Sequence, residues 1–157
     1  MQGLAGKTVI VTGGATLLGA GVVQVLRQQG AQVAVFDIDA AGGARTAAAH
    51  AEGVRLWPVD ITDDAATARA VAEAASAVGP AGAPPALHGL VNLACTYTDG
   101  GDQATRADWQ QALNVNVVSA VMLANAVRPH LQRQGGGAIV NFTSISAKVA
   151  QTGRWLY

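Results

Sequence analysis

The sequence predicts an α/β domain in which five parallel strands form a doubly wound sheet. Short apolar runs rich in β-branched residues alternate with longer segments whose apolar residues recur at helical spacing. The strand-like runs are almost continuously apolar, as in strands that are buried on both faces. A chain of 157 residues is long enough for one such domain but not for an additional substrate domain. We therefore expect a single domain over residues 1–157.

The first part of the chain contains two strand–helix units. Residues 8–11 form a β-branched run that ends in glycines, and residues 20–29 repeat apolar positions at helical spacing. Residues 32–36 (QVAVF) are a second apolar run, and the alanine-rich segment 40–51 has a high helix propensity. These patterns predict two strands that each lead into a helix.

A third unit and a loop follow. Residues 54–59 predict a strand, and Asp63 is the predicted N-cap of a helix that runs to about Val78. Asp64, in the first turn of that helix, interacts favourably with the helix dipole. The stretch 79–86 is rich in glycine and proline. We expect a loop inside the domain there, because the alternation of elements resumes after it.

The remaining elements complete the alternation. Residues 87–93 predict a fourth strand, 106–134 one long helix, and 138–142 a fifth strand. The long helix is apolar around most of its circumference, so we expect either the sheet and a neighbouring helix or another subunit to cover it. Every strand except the last leads into a helix, which implies right-handed crossovers between parallel strands.

The composition excludes several classes of function. Ten basic residues balance ten acidic ones, so no excess charge is available for nucleic acid or an anionic membrane. No apolar stretch approaches the ~20 residues that cross a bilayer, and the three histidines lie too far apart for a metal site. The single cysteine forms no internal disulfide, and residues 1–7 lack the apolar run of a signal peptide. We expect a cytoplasmic protein without metal, nucleic-acid or membrane partners.

The turn TGGATLLG at residues 12–19 lies where the first strand leads into the first helix. Glycines in such a turn permit a positive φ and a close approach of the backbone, so that N–H groups at the helix N-terminus can bind a pyrophosphate. The same pattern also fits a tight connection that binds nothing. Gly13, Leu18 and Gly19 are therefore candidate cofactor-binding residues.

Asp37 ends the second strand, 18 residues after Gly19. A carboxylate in this position accepts hydrogen bonds from the adenosine ribose hydroxyls and repels a 2′-phosphate, and no arginine follows immediately to reverse that preference. Asp37 therefore favours NAD over NADP as the cofactor. Asp37 and Asp39 also fit the alternative of a solvated turn.

Six motifs in sequence order resemble those of the short-chain dehydrogenase/reductase family, and the resemblance covers the whole chain. The glycine turn resembles the family's Thr-Gly-x-x-x-Gly-x-Gly, VDIT at 59–62 matches an aspartate near the adenine, and VNLAC at 91–95 stands at the family's Asn-Asn-Ala-Gly. Trp109 with VN at 115–116 matches the helix asparagine, and IVNFTS at 139–144 matches the strand that ends in the catalytic serine. Tyr157 follows Ser144 by 13 residues, the family's usual interval.

This resemblance implies a Rossmann-type sheet of order 3-2-1-4-5 that binds NAD. Beside Asp37, it implies cofactor contacts at Asp60, Ile61, Asn92 and Ala94. The implied activity is the interconversion of an alcohol and a ketone by hydride transfer.

The resemblance also implies three catalytic residues. Tyr157 is the general acid or base, Ser144 hydrogen-bonds the reacting oxygen, and Asn116 holds a water of the proton relay. Taken singly, each residue also fits a structural role. Tyr157 fits a terminal surface aromatic, Ser144 a turn residue at a strand end, and Asn116 a core amide with its hydrogen bonds satisfied.

The sequence departs from the family's pattern at several positions. Leu17 replaces the middle glycine of the turn, so its side chain must point away or the affinity for the cofactor falls. Leu93 and Cys95 replace asparagine and glycine in the fourth-strand motif. The family's lysine, four residues after the tyrosine, has no counterpart in a sequence that ends at Tyr157. The next helix, two further strands and the substrate loop, the C-terminal part of the fold, are likewise absent.

We therefore expect the cofactor-binding part of an NAD(H)-dependent alcohol/ketone oxidoreductase, poorly active as it stands and a homo-oligomer, a dimer or tetramer, when complete. If the native chain ends at Tyr157, the alternative is a non-catalytic nucleotide-binding or interaction module. Leu17 is the best argument for a third possibility, a structural remnant that has lost cofactor binding.

Overall fold

Five strands form one parallel sheet in the computed structural model, which describes residues 3–77, 86–149, 151–153 and 155–157. The strands are β1 (Thr8–Thr12), β2 (Gln32–Asp37), β3 (Val54–Pro58), β4 (Gly89–Asn92) and β5 (Ala138–Asn141). Their order across the sheet is β3-β2-β1-β4-β5, which confirms the predicted 3-2-1-4-5 arrangement. The predicted loop at 79–86 lies outside the described residues except for residue 86.

The helices are α1 (Leu17–Gln28), α2 (Ala40–Ala48), α3 (Asp64–Ala77), α4 (Arg106–Leu113) and α5 (Ser119–Arg133). Asp63 accepts a hydrogen bond from the N–H of Ala66 at 2.8 Å, which confirms the predicted N-cap of α3. Among the described residues, no helix is long and apolar enough to cross a membrane.

The core lies on both faces of the sheet, as expected for a doubly wound fold. All five residues of β1 are buried, because this central strand is covered on both sides. One face packs Val9, Val11, Val33 and Val35 against α1 through Val23. The opposite face packs Ile10, Phe36 and Leu90 against side chains of α3 and α5, namely Val71, Ala74, Leu123, Val127 and Leu131.

The long helix predicted over 106–134 runs from Arg106 to Arg133 and contains a π-helical stretch. Residues Asn114–Val118 form a π-helix between α4 and α5, and the hydroxyl of Ser119 donates to the carbonyl of Asn114 at 2.8 Å. A π-helical turn accommodates an extra residue, and such turns occur frequently at functional sites. The apolar periodicity of the sequence does not indicate the π-helical stretch. The stretch coincides with a hydrogen bond between the side chain of Asn116 and Thr96 outside the helix, and periodicity carries no information about such contacts.

Candidate active site

A cleft of about 370 Å³ opens at the carboxyl ends of β1, β2 and β4. This is the point where the chain order reverses between β1 and β4, and open α/β sheets bind their ligands at such a crossover. Five of the predicted cofactor-binding residues line the cleft, namely Gly13, Asp37, Asp60, Ile61 and Ala94. The fold therefore gathers residues that are up to 81 positions apart in the sequence around one cavity.

Gly13 forms the floor of the cleft beside β4. Its φ is +71°, and a Cβ at this position would lie 2.9 Å from the backbone of Ala94. Only glycine tolerates both conditions. The hydroxyl of Thr12 fixes the facing segment, since it accepts hydrogen bonds from the N–H groups of Leu93 and Ala94 at 3.0 and 3.1 Å.

Thr16 begins α1 and lines the same cleft. Its hydroxyl donates to the carbonyl of Gly13 at 2.8 Å and accepts from the N–H of Gly19 at 3.0 Å. Helix geometry leaves the N–H groups of Leu17 and Leu18 without an acceptor inside the helix. The N-terminus of α1 therefore presents donors where an anionic group can be bound.

Neither leucine of the turn lines the cleft. The side chain of Leu17 is 95% exposed, and Leu18 is also exposed. The isobutyl group that replaces the family's glycine thus points into solvent, and the sequence-based concern that it fills the crevice does not apply. Leu18 can therefore contact a ligand in the cleft only through its backbone N–H.

Two carboxylates line the opposite side of the cleft. Asp37 accepts hydrogen bonds from the N–H groups of Ala15 and Asp39 at 2.8 and 2.9 Å, one on each oxygen. Asp60 accepts from the N–H and hydroxyl of Thr62 at 2.9 and 2.7 Å. These bonds fix the orientation of both carboxylates. Both oxygens of Asp37 and the second oxygen of Asp60 keep lone pairs for a ligand's hydroxyl donors. No lysine or arginine of the described residues lines this cleft.

Gly19 and Asn92, also predicted to bind cofactor, do not line the cleft and have structural contacts instead. Gly19 packs against Gly13, with no space for a Cβ between them. Asn92 is buried at the end of β4, where its amide donates to the side chain of Asn141 at 2.9 Å and to the carbonyl of Ala120 at 3.2 Å. Asn92 therefore links β4 to β5 and α5.

The three predicted catalytic residues have defined partners. Asn116, in the π-helix, accepts from the N–H of Thr96 at 2.8 Å and donates to the carbonyl of the same residue at 3.3 Å. Ser144 caps a short 3-10 turn, where its hydroxyl contacts Ser146 at 3.2 Å. The ring of Tyr157 lies 4.6 Å from that of Tyr97, measured between centroids.

Tyr97 is the residue that joins the cleft to Tyr157. It lines the cleft, and its ring lies beside the ring of Tyr157. Hydrogen bonds to Cys95 and to Tyr157 raise the pKa of the Tyr97 phenol well above its ordinary value. Tyr97 therefore stays protonated across the range in which enzymes work.

A titration tests whether the contact with Cys95 raises the pKa of the Tyr97 phenol. The chain has two tyrosines, so Tyr97 is the only one in the variant Tyr157→Phe. We expect Cys95→Ala in that background to lower the pKa of Tyr97, because the hydrogen bond with the largest effect is lost. The measurement is the near-ultraviolet absorbance of tyrosinate against pH. An identical titration curve with and without Cys95 would contradict the contact.

Comparison with known proteins decides the family. The family model for short chain dehydrogenase matches residues 7–157. The chain belongs to the short chain dehydrogenase family. The solved structure of a 7α-hydroxysteroid dehydrogenase complexed with NADH and 7-oxo glycochenodeoxycholic acid superposes with a TM-score of 0.86 at 25% identity, covering 96% of this chain and 58% of that one. The same comparisons confirm the Rossmann-type fold.

Two curated relatives have related activities in their names. A probable galactose dehydrogenase of Rhizobium meliloti is 36% identical over 145 residues, which are 89% of this chain and 54% of the relative. A D-xylose 1-dehydrogenase of Caulobacter vibrioides is 33% identical over 149 residues, 91% of this chain and 55% of the relative. This member of the family therefore spans about half the length of the curated relatives that it matches.

Sequence reasoning missed several residues of this site. Thr16 carries a signal that was available, since threonine is a preferred N-cap and stands directly before the first residue of α1. Tyr97 and Thr96 line the cleft as well, but they follow β4 in an irregular segment without periodicity. Only the folded chain brings that segment beside the glycine turn.

Proposed function

We propose that this chain is the cofactor-binding part of an NAD(H)-dependent oxidoreductase that interconverts an alcohol and a ketone. The observation that carries the proposal is the cleft at the sheet crossover, with the N-terminus of α1 on one side and the carboxylates of Asp37 and Asp60 on the other. A dinucleotide needs both, because its pyrophosphate is anionic and its ribose hydroxyls are donors. The cofactor's chemistry is to accept or donate a hydride.

The chain's own residues fit this cofactor. Gly13 lets the turn adopt a positive φ and pack closely against the backbone of Ala94, and the N–H groups at Leu17 and Leu18 are the donors for the pyrophosphate. Asp37 accepts from the adenosine ribose and excludes a 2′-phosphate by charge repulsion. Asp60 and Ile61 provide the wall around the adenine. The absence of a basic side chain from the described lining supports NAD rather than NADP.

Proton transfer is assigned to Tyr157, with Ser144 and Asn116 in support. The Tyr157 phenol donates a proton to the carbonyl oxygen in reduction and accepts the hydroxyl proton in oxidation, and Ser144 hydrogen-bonds the same oxygen. The position of Tyr157 beside Tyr97, itself a wall of the cleft, supports this role. The side chain of Asn116 bonds to both backbone groups of Thr96. One lone pair of its amide oxygen and one amide N–H remain, and these would hold the relay water.

A surface of exposed apolar side chains supports the expected homo-oligomer. Val117, Val118 and Val121 lie exposed along the π-helix and the start of α5, with Leu113 one turn earlier. Contiguous apolar surface of this kind marks a contact with another protein surface. A second copy of the protein is the partner that we propose for it.

The single cysteine provides a test of cofactor binding that needs no substrate. Cys95 lines the cleft and is a free thiol, so bound NADH blocks its alkylation by iodoacetamide. We expect the alkylation rate to fall by the factor 1 + [NADH]/Kd as NADH is added. NADPH at equal concentration protects less, because Asp37 repels its 2′-phosphate. Alkylation that stays equally fast at millimolar NADH excludes this cleft as the cofactor site.

A further inference from the structure

The segment between β4 and α4, residues 93–105, packs against the residues at the end of the chain. Within it, the carboxylate of Asp99 accepts hydrogen bonds from the N–H of Gly101 at 2.7 Å and from the N–H of Leu156 at 2.8 Å. The first bond is local, but the second spans 57 positions and holds the residue directly before Tyr157. The side chain of Leu156 is buried, so this backbone is fixed by two independent contacts.

The same segment holds the Tyr157 ring. Tyr97 stacks on it with a centroid separation of 4.6 Å and an interplanar angle of 33°. Tyr97 is in turn held through its neighbour, because both backbone groups of Thr96 are bonded to Asn116 in the π-helix. A continuous series of contacts therefore runs from the π-helix through the segment 96–99 to the phenol.

We propose that Asp99 and Tyr97 are positioning residues, which fix the Tyr157 phenol at the edge of the cofactor cleft by holding its backbone and its ring. This inference rests on the proposed function, in which Tyr157 transfers the proton. Proton transfer requires the phenol oxygen within hydrogen-bond reach of the substrate oxygen, and a displacement of ~1 Å in such a geometry costs on the order of a hundredfold in rate.

Dityrosine formation measures this geometry directly. Under photo-oxidation with a ruthenium complex and persulfate, two adjacent tyrosines each lose one electron, which persulfate finally accepts, and one proton, which is released to water, and the two rings join through a carbon–carbon bond. The chain's two tyrosines are Tyr97 and Tyr157, so an intramolecular product reports their contact alone. We expect the monomeric chain to give dityrosine fluorescence and one cross-linked peptide pair, and either tyrosine-to-phenylalanine variant to give none.

The Asp99 variants test the positioning role. Asp99→Ala removes both acceptors and is expected to lower the intramolecular dityrosine yield several-fold. Asp99→Asn keeps one acceptor oxygen and is expected to give an intermediate dityrosine yield. This variant keeps the test possible even if Asp99→Ala does not fold. Asp102→Asn is the matched control, because Asp102 is an exposed carboxylate in the same segment, and it leaves the yield unchanged. A yield unaffected by Asp99→Asn and Asp99→Ala overturns the proposal.

Two results separate this proposal from the proposed function. Asp99 does not line the cofactor cleft, so its variants should keep the protection of Cys95 by NADH. If NADH does not protect Cys95 even in the unsubstituted chain, the proposed cofactor site is wrong. The dityrosine result would not be affected, because it needs no cofactor. A cross-link that depends on Asp99, together with normal protection of Cys95, supports both.

Discussion

Gly19→Ala is expected to destabilise the protein by at least about 3 kcal/mol, the upper range for inserting a methyl group into a well-packed site. The new Cβ would overlap the carbonyl oxygen of Gly13 and lie 2.8 Å from the Cα of Gly14. These are backbone atoms of the turn itself, so no side-chain rotation relieves the clash. The measurement is the free energy of unfolding from urea denaturation.

Gly21→Ala is the matched control for this prediction. Gly21 lies two residues further along α1, and a Cβ there meets no atom within 4 Å. Alanine has the higher helix propensity, so this variant is expected to gain about 0.5–1 kcal/mol. Equal effects of the two substitutions would show that the contact between Gly19 and the turn is not as described.

Asp37→Asn is expected to weaken NADH binding by about tenfold to a hundredfold. The substitution preserves the shape of the side chain but removes its charge and one acceptor, and a hydrogen bond to a charged group contributes about 1.5–3 kcal/mol. It also removes the repulsion of a 2′-phosphate, so the affinity for NADPH should fall less than that for NADH or rise. The dissociation constants are measured by fluorescence titration of both dinucleotides.

Asp39→Asn is the matched control for Asp37→Asn. Asp39 caps α2 through the N–H of Gly42 at 2.9 Å and does not line the cleft. Asparagine is an equally good N-cap, so neither the stability nor the affinity for NADH should change appreciably. If both substitutions weakened NADH binding alike, the effect would be one of net charge rather than of the ribose contact.

Asp37, the residue proposed to select NAD, also helps to hold the glycine turn in place. One oxygen of Asp37 binds the N–H of Ala15 within the glycine turn, and Thr46 of α2 donates to the carbonyl of Gly14 at 2.9 Å. The second strand–helix unit therefore holds the turn in the shape that a dinucleotide requires.

The sequence by itself determined the elements and their order. Strand β1 is a run of β-branched residues and Asp63 is a capping residue beside a helical pattern, and both signals act within a few residues of the chain. Once strands and helices alternate, the handedness of the crossovers leaves few topologies. Gly13 and Asp37 could be predicted to lie at this cleft because they follow or end a strand, whereas Asp60, Ile61 and Ala94 were implied by the family resemblance and lie within three residues of a strand end.

Only the tertiary structure decided which side chains meet across the cleft and how the end of the chain is held. The outward direction of Leu17, the π-helix around Asn116 and the contacts of Tyr97 and Asp99 with the last two residues depend on distances between segments far apart in the sequence. Local propensity contains no information about such distances, because a hydrogen bond such as that from the N–H of Leu156 to Asp99 joins residues 57 positions apart. The physical reason is that packing, rather than periodicity, selects the partner of an irregular segment.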